Sequence, residues 1–461
     1  MRQFDPEFAE MRFGSGLSPL LAPPRDVSDL LERLRAPDTM AAQFPIEGFD
    51  VFRSRMLEYQ RLRRVRRDNR GTETGQKADK AARLVQKAAR QDMVRWLGRS
   101  MLRRAHTQSG FFERLVFFWA DHFAARGKAG VMRRATSPYI EDAIRPNVTG
   151  RFADLLRSAV THPVMLEFLD QHRSHGPNSN RAMQSNGRLG LNENLAREIL
   201  ELHTLGVDGP YSQDDVAQLA ELLTGLSFNA KQGFRYVKAM AEPGAETVLG
   251  TTYSDKSTLA PITAVLEDLA AHPATAQHLA SKLAVHFVSD TPDPALIDHL
   301  AARYSQSGGD LMQVYAALLG HPAAWESRGA NIKTPVEFVG SAMRALAVQP
   351  EQIEALNEGQ MRNRVLTPMA IMGQTWQKFP GPDGWAEEDE NWISPAGLAG
   401  RVQWAMGAPI HLVEALPDPR AFVHTALGRF ASDDVIFAAG AAESRAEAIG
   451  LVLMAPAFQR R

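Results

Sequence analysis

Cysteine is missing altogether from the 461 residues. Its absence excludes disulfides, thiolate zinc sites, cysteine-ligated iron–sulfur clusters, covalently attached c-type haem and a cysteine nucleophile, while leaving the compartment open. No apolar run is long enough to cross a membrane. Even the stretch from Val435 to Phe458 is interrupted by Glu443, Ser444, Arg445 and Glu447, so it reads as an amphipathic or buried helix. The opening residues Met1-Arg2-Gln3-Phe4-Asp5-Pro6-Glu7 carry acids and lead into no apolar segment, which predicts neither a signal nor a transit peptide and a cytoplasmic chain. Motifs with a built-in mechanism are scarce too. There is no Gly-x-Ser-x-Gly elbow and no His-Glu-x-x-His; Gly127-Lys128 is followed by Ala129 and not by Ser or Thr; Gly14-Ser-Gly16 lacks a third glycine and precedes Pro19. The Glu/His pairs that build di-iron bundles are also missing.

What is present is an ordinary globular composition, 44% hydrophobic, with 52 basic residues against 53 acidic ones. That balance conceals a division. From Arg53 to His106 the chain has 17 Lys or Arg and five acids, a net of +12, and the remainder carries −13. The segment has apolar residues at helical intervals and a break at Gly71-Thr-Glu-Thr-Gly75, predicting two helices. Sparse aromatic interleaving argues against nucleic-acid binding and for solvated helices whose arginine stems cover apolar surface. Helical periodicity then recurs over 111–125, 138–144, 151–172, 192–205, 212–226, 257–272, 274–287, 294–304, 310–321 and 335–346. Gly206 is placed as a helix stop, and Ser212 with Asp215 as a capping box. The reading is an all-α protein: one large multi-helix domain with a small β-hairpin insertion. Phe234, Tyr236 and Val237 before Glu242-Pro-Gly244, with Thr247-Val-Leu249 after it, supply the hairpin. The stretch from Phe379 to Trp392 is predicted to be an ordered loop.

Histidines on apolar helix faces are the candidate chemistry. At about 100° per residue, His203 falls on the face of Leu195, Ala196 and Ile199, with Glu198 on its flank and Arg197 and Glu201 outward. His122 shares a face with Leu115, Phe118 and Trp119, beside Asp121, and a similar pattern recurs at Lys282-Leu-Ala-Val-His286. Catalytic candidates are therefore His122, His203, Glu198 and Asp121. Metal-ligand candidates are His122, His203, His286 and Glu198, which would suit a divalent ion. The competing reading for each histidine is a core residue satisfied by one acceptor. Glu387, Glu388, Asp389 and Glu390 lack the glycine spacing of a calcium loop and read as a solvated acidic edge.

Several strings resemble the bacterial family called domain of unknown function 1800. They are Arg12-Phe-Gly-Ser-Gly-Leu-Ser-Pro19, Phe118-Trp-Ala-Asp-His-Phe123, the run from Gly190 to Val207, Tyr211-Ser-Gln-Asp-Asp-Val216 with Leu223-Thr-Gly225, and His286-Phe-Val-Ser-Asp290. Lys333-Thr-Pro-Val-Glu-Phe338, Pro382-Asp-Gly-Trp385 and the terminal Ala455 to Arg461 complete the set. The resemblance implies one unit over 1–461, with a basic helical segment at 53–106, a central core at 107–230, a hairpin at 231–258 and a C-terminal helical part at 259–461. Leu226 and Ala241 depart from the family pattern, which has tryptophan and histidine there; a role for that histidine would be lost in this chain. The family has no assigned activity. Its members are frequently encoded beside a sulfatase-like protein with a twin-arginine export signal, which implies a protein partner and a route to the periplasm by co-export.

Two functions follow as expectations. The first is an accessory, partner-binding protein that docks through the helices of Arg53 to Arg104, charge complementarity steering the association. The second is a metal-assisted hydrolase or oxidoreductase built on the buried histidines and carboxylates.

Overall fold

The structure, a computed structural model, describes residues 4–326 and 329–461, so the Met1–Gln3 part of the N-terminal reading lies outside the described residues. Helices make up nearly all the regular structure, as the periodicity predicts, and the described strands form two short antiparallel hairpins. β1 (Leu226–Asn229) pairs with β2 (Gly233–Tyr236), Leu226 opposite Tyr236, and β3 (Thr247–Val248) pairs with β4 (Thr251–Thr252). The expected partnership of 234–237 with 247–249 does not form, because each segment finds a nearer partner. Asn229 Oδ1 accepts the Gln232 N–H at 2.7 Å and closes the first turn. Leu249 and Gly250 adopt φ of 50° and 78°, the two-residue hairpin conformation that closes the second. Taking Leu226 into β1 also ends the helix expected over 212–226 at Leu222.

Proline divides another expected helix. The 151–172 pattern becomes Phe152–Val160 and Pro163–Phe168, since the residue before a proline is driven out of the helical region; His162 has ψ 137° and caps the second piece through Nδ1. Other signals hold as read. Gly206 has φ +91°, and Ser212 and Asp215 form a reciprocal capping box. The helix that begins at Asn194 widens into a π turn over Ile199–His203, a local irregularity that periodicity does not reveal.

The basic segment folds as a helical hairpin of Phe49–Asp68 and Glu73–His106. Phe52, Met56 and Leu62 on one arm and Ala78, Ala82, Ala89 and Met93 on the other are buried, and small against large lets the arms lie close. The second arm continues inward and packs against the helix Pro335–Ala345. Its last turn therefore corrects the expectation that the whole segment to Arg104 is a docking surface: Arg103 and Arg104 are buried. Beside them runs the aromatic helix Gly110–His122, almost wholly enclosed. Trp119 Nε1 donates to Tyr315 Oη at 2.7 Å, and that hydroxyl donates to the Val148 carbonyl at 2.8 Å.

Beneath the aromatic helix lies a layer of buried charge. Arg344 donates to Glu10 at 3.2 Å and to the carbonyls of Gly16 and Thr107; Arg114 pairs with Glu337 at 2.8 Å, and Arg461 reaches the same carboxylate. Arg145 bridges Glu113 and Asp38. Ions taken out of water cost several kcal/mol each unless they are paired and hydrogen-bonded, so these partnerships hold the elements in register. Most of the strings that carry the family resemblance at the N-terminus, at Lys333 to Phe338 and at the C-terminus contribute to this layer.

Candidate functional site

The aromatic helix presents two opposite faces. Leu115, Phe118, Trp119 and His122 form one stripe, and Glu113, Val116, Phe117 and Ala120 form the stripe about 180° away, at about 100° per residue. The first faces histidines; the second lines a cavity.

On the first face, His122 Nε2 lies 3.2 Å from the His203 carbonyl, and the two rings are 5.9 Å apart. The π turn brings His203 to this place. His278, a residue that sequence reasoning missed, completes a trio: its ring is 6.2 Å from that of His122, and its Nε2 meets the Leu202 carbonyl at 3.0 Å. All three are held in the neutral form. Burial first, and then the Lys282 ammonium nearby, pull His203 down to about 3 and His122 well below the ordinary histidine range. His278 is lowered in the same way. Nδ1 of His122 and both ring nitrogens of His203 are buried without a hydrogen-bond partner among the described residues.

Asp121, the next residue along, accepts the Trp385 N–H at 3.0 and 3.2 Å through its two oxygens. Burial, reinforced by the Glu387 carboxylate, raises its pKa well above the usual carboxylate range. The string Pro382-Asp-Gly-Trp385 acquires a physical meaning here. A Cβ on Gly384 would stand 2.6 Å from Asp121 Oδ2, and its φ is +82°, so only glycine lets the loop close over the aspartate.

The candidates are not all brought together. His286 is set apart from the trio, with the Phe118 ring 5.1 Å from it and 6.4 Å from His122. Its Nδ1 faces Glu387 at 2.8 and 3.0 Å, so that acid is a partner of a buried histidine and not part of a solvated edge. Glu198 is half-buried. Desolvation, then Glu201 and Asp383, raise it to about 7. Among the described residues no three His, Asp or Glu side chains are grouped to hold a metal ion. What the arrangement offers is proton chemistry: neutral imidazoles, a carboxyl whose pKa burial raises, and a glutamate that titrates near neutrality. A signal for the missed His278 was available. His278, Lys282 and His286 recur every four positions on the helix Pro273–Phe287, which puts them along one face.

On the second face is a cavity of about 70 Å³, walled by Phe117, Met369, Trp376, Phe379 and Trp385 together with Arg103, Arg104 and Gln374. Trp385 joins the two faces, its backbone on Asp121 and its side chain in the cavity wall.

Comparison with known proteins gives one match. Residues 10–460 fit the family model described as "Protein of unknown function (DUF1800)". No curated protein and no solved structure matches the chain.

Proposed function

The chain belongs to the DUF1800 family, and from that premise we propose that it is an accessory protein whose basic hairpin docks an acidic protein surface. One observation carries this reading. Arg63, Arg64, Arg70 and Lys80 are exposed toward the far end of the hairpin and make no ion pair among the described residues, while neighbours such as Arg66 and Arg83 share Asp79. Four free cations around an open groove of about 1000 Å³ set up a positive field that steers an acidic partner. The sulfatase-like protein that accompanies family members is the partner nominated, and co-export with it would carry this chain to the periplasm. Among the described residues no helix is long and apolar enough to cross a membrane.

The test is co-purification of the tagged chain with the sulfatase-like neighbour from the native host, at low and high salt, beside an Arg63→Glu/Arg64→Glu/Arg70→Glu variant. Retention that falls with salt and is abolished by charge reversal supports the proposal. Recovery of the neighbour with neither chain, or equally with both, overturns it. Heparin and duplex DNA columns run in parallel separate protein docking from nucleic-acid binding. Periplasmic fractionation with and without the neighbour tests co-export.

A second reading, a hydrolase or oxidoreductase, is favoured by Glu198 titrating about pH 7 at the edge of a loop that also covers Asp121. His122, His203 and Asp121 would supply the other acid/base groups, with a divalent metal recruited by rearrangement of His122, His203, His286 and Glu198. Elemental analysis of the purified chain together with Glu198→Gln tests this reading. Stoichiometric metal that Glu198→Gln removes supports it, and none in either preparation removes the metal version.

A further inference from the structure

The cavity on the second face of the aromatic helix holds an arginine without a counterion. Arg104 is 6% exposed, and its guanidinium lies over the Phe117 ring, 5.2 Å from the centroid, in the cavity wall. It makes no side-chain hydrogen bond or ion pair among the described residues. The acids near it are already engaged: Glu113 by Arg145, Glu337 by Arg114 and Arg461, and Glu141 by Arg103. Two more donors in the same wall are unsatisfied. Gln374 Oε1 accepts the Val336 N–H at 2.9 Å, leaving Nε2 buried without an acceptor, and the buried indole N–H of Trp376 has none either. Three donors without a bonded acceptor, one of them a positive charge whose nearest acids are held by other arginines, leave a place for an anion.

The rest of the wall limits that anion. Phe117, Phe379, Trp385, Met369 and Val116 are apolar, and the Glu113 and Glu141 carboxylates, held by Arg145 and Arg103, also line the cavity, so a multiply charged phosphate or sulfate is disfavoured more than a single carboxylate. A space of about 70 Å³ admits about five non-hydrogen atoms, taking roughly 10–15 Å³ per water-sized group. We infer that the cavity is a binding site for a short-chain organic carboxylate, its carboxylate on Arg104, Gln374 Nε2 and Trp376 Nε1 and its alkyl tail among the aromatic side chains. The site is independent of the hairpin end, although Arg104 sits in the last turn of the hairpin's longer arm. Burial, the first cause of the lowered Arg104 pKa, is what such an anion would offset.

Trp376 and Trp385 in the wall provide the readout. The full chain is titrated with acetate through hexanoate, with butyramide as the neutral shape control and sodium chloride at matched ionic strength, following tryptophan fluorescence and calorimetric heat. A saturable response to one or more carboxylates, absent with butyramide and chloride, is expected. Arg104→Met should weaken that binding about tenfold to a hundredfold through loss of a charged hydrogen bond, and Trp376→Phe, which deletes the N–H donor along with the five-membered ring that carries it, several-fold. Equal binding of butyramide, unaltered affinity in Arg104→Met, or no saturable response to any carboxylate would overturn the inference and leave the three donors to water. Should Arg104→Met fail to give the wild-type circular dichroism spectrum, Trp376→Phe and the butyramide comparison decide.

Discussion

The hairpin end and the layer beneath the aromatic helix are made from the same arginines and glutamates, used in opposite ways. At the hairpin end the cations stand in water. Arg61 and Glu58, 62% and 45% exposed, pair loosely, and Arg63, Arg64 and Arg70 have no partner among the described residues. In the interior, Arg114 and Glu337 are 2% and 5% exposed, and each charge depends on its counterion. Solvated charge sets a long-range field and adds little to stability, whereas buried paired charge does the reverse. One region is therefore suited to meeting a partner and the other to fixing an architecture.

The strongest way to break this contrast is to remove one interior acid. Glu337→Gln leaves Arg114 and Arg461 desolvated beside a neutral amide, and the expected cost is about 3–5 kcal/mol in urea unfolding. The direction has support in the site itself: both arginines hold the Glu337 carboxyl well below the ordinary glutamate range against the opposing effect of burial. A loss under about 1 kcal/mol would mean that water reaches the layer, and the two regions would not differ in kind.

Acid sharpens the contrast next. His203 and His122 have folded pKa values depressed below the unfolded 6.5, so the unfolded chain binds the extra protons; stability is fully present above about 6.5 and is lost as pH falls, for His203 toward about 3. Glu198 and Asp121 are shifted upward and act in the opposite sense: what they contribute at low pH is lost as pH rises, for Glu198 through about 7. The two effects oppose each other, so the readout is the difference between chains: His203→Phe removes one acid-labile contribution and should lose less urea stability between pH 6.5 and 4 than the parent. An unchanged slope in that variant would show that His203 is not buried neutral.

How much of this was written in the sequence depends on how far apart the partners lie. The helices were legible because a 3.6-residue repeat is local, and His203 could be placed inward from three neighbours, although the π turn that aims its ring could not. The +12 excess was legible by counting. The ion pairs were not: Glu10 and Arg344 lie 334 positions apart, and only the fold joins them. For the same reason Arg103 and Arg104 were read with the exposed cations, when the longer arm in fact carries them into the interior. The strand pairing failed because two nearby turns outcompeted the longer connection. His278 was overlooked for a different reason, since the four-residue spacing to Lys282 and His286 was there to be read.

The smallest expected effect on stability is the most telling for function. Replacing Arg63, Arg64 and Arg70 with glutamine removes three charges that touch no acid and cover little apolar surface, so the change in urea stability should stay within about 0.5 kcal/mol. Retention of an acidic protein should nevertheless fall, and its dependence on salt should flatten, because the field that steers association has been weakened while the fold has not. If the triple variant instead unfolded more easily by several kcal/mol, the hairpin end would share the energetics of the interior, and its cations would be structural and not a docking surface. Unchanged stability with unchanged retention would move the recognition surface elsewhere. Only unchanged stability with lost retention fits a hairpin whose inner end is locked by buried charge and whose outer end is left free to bind.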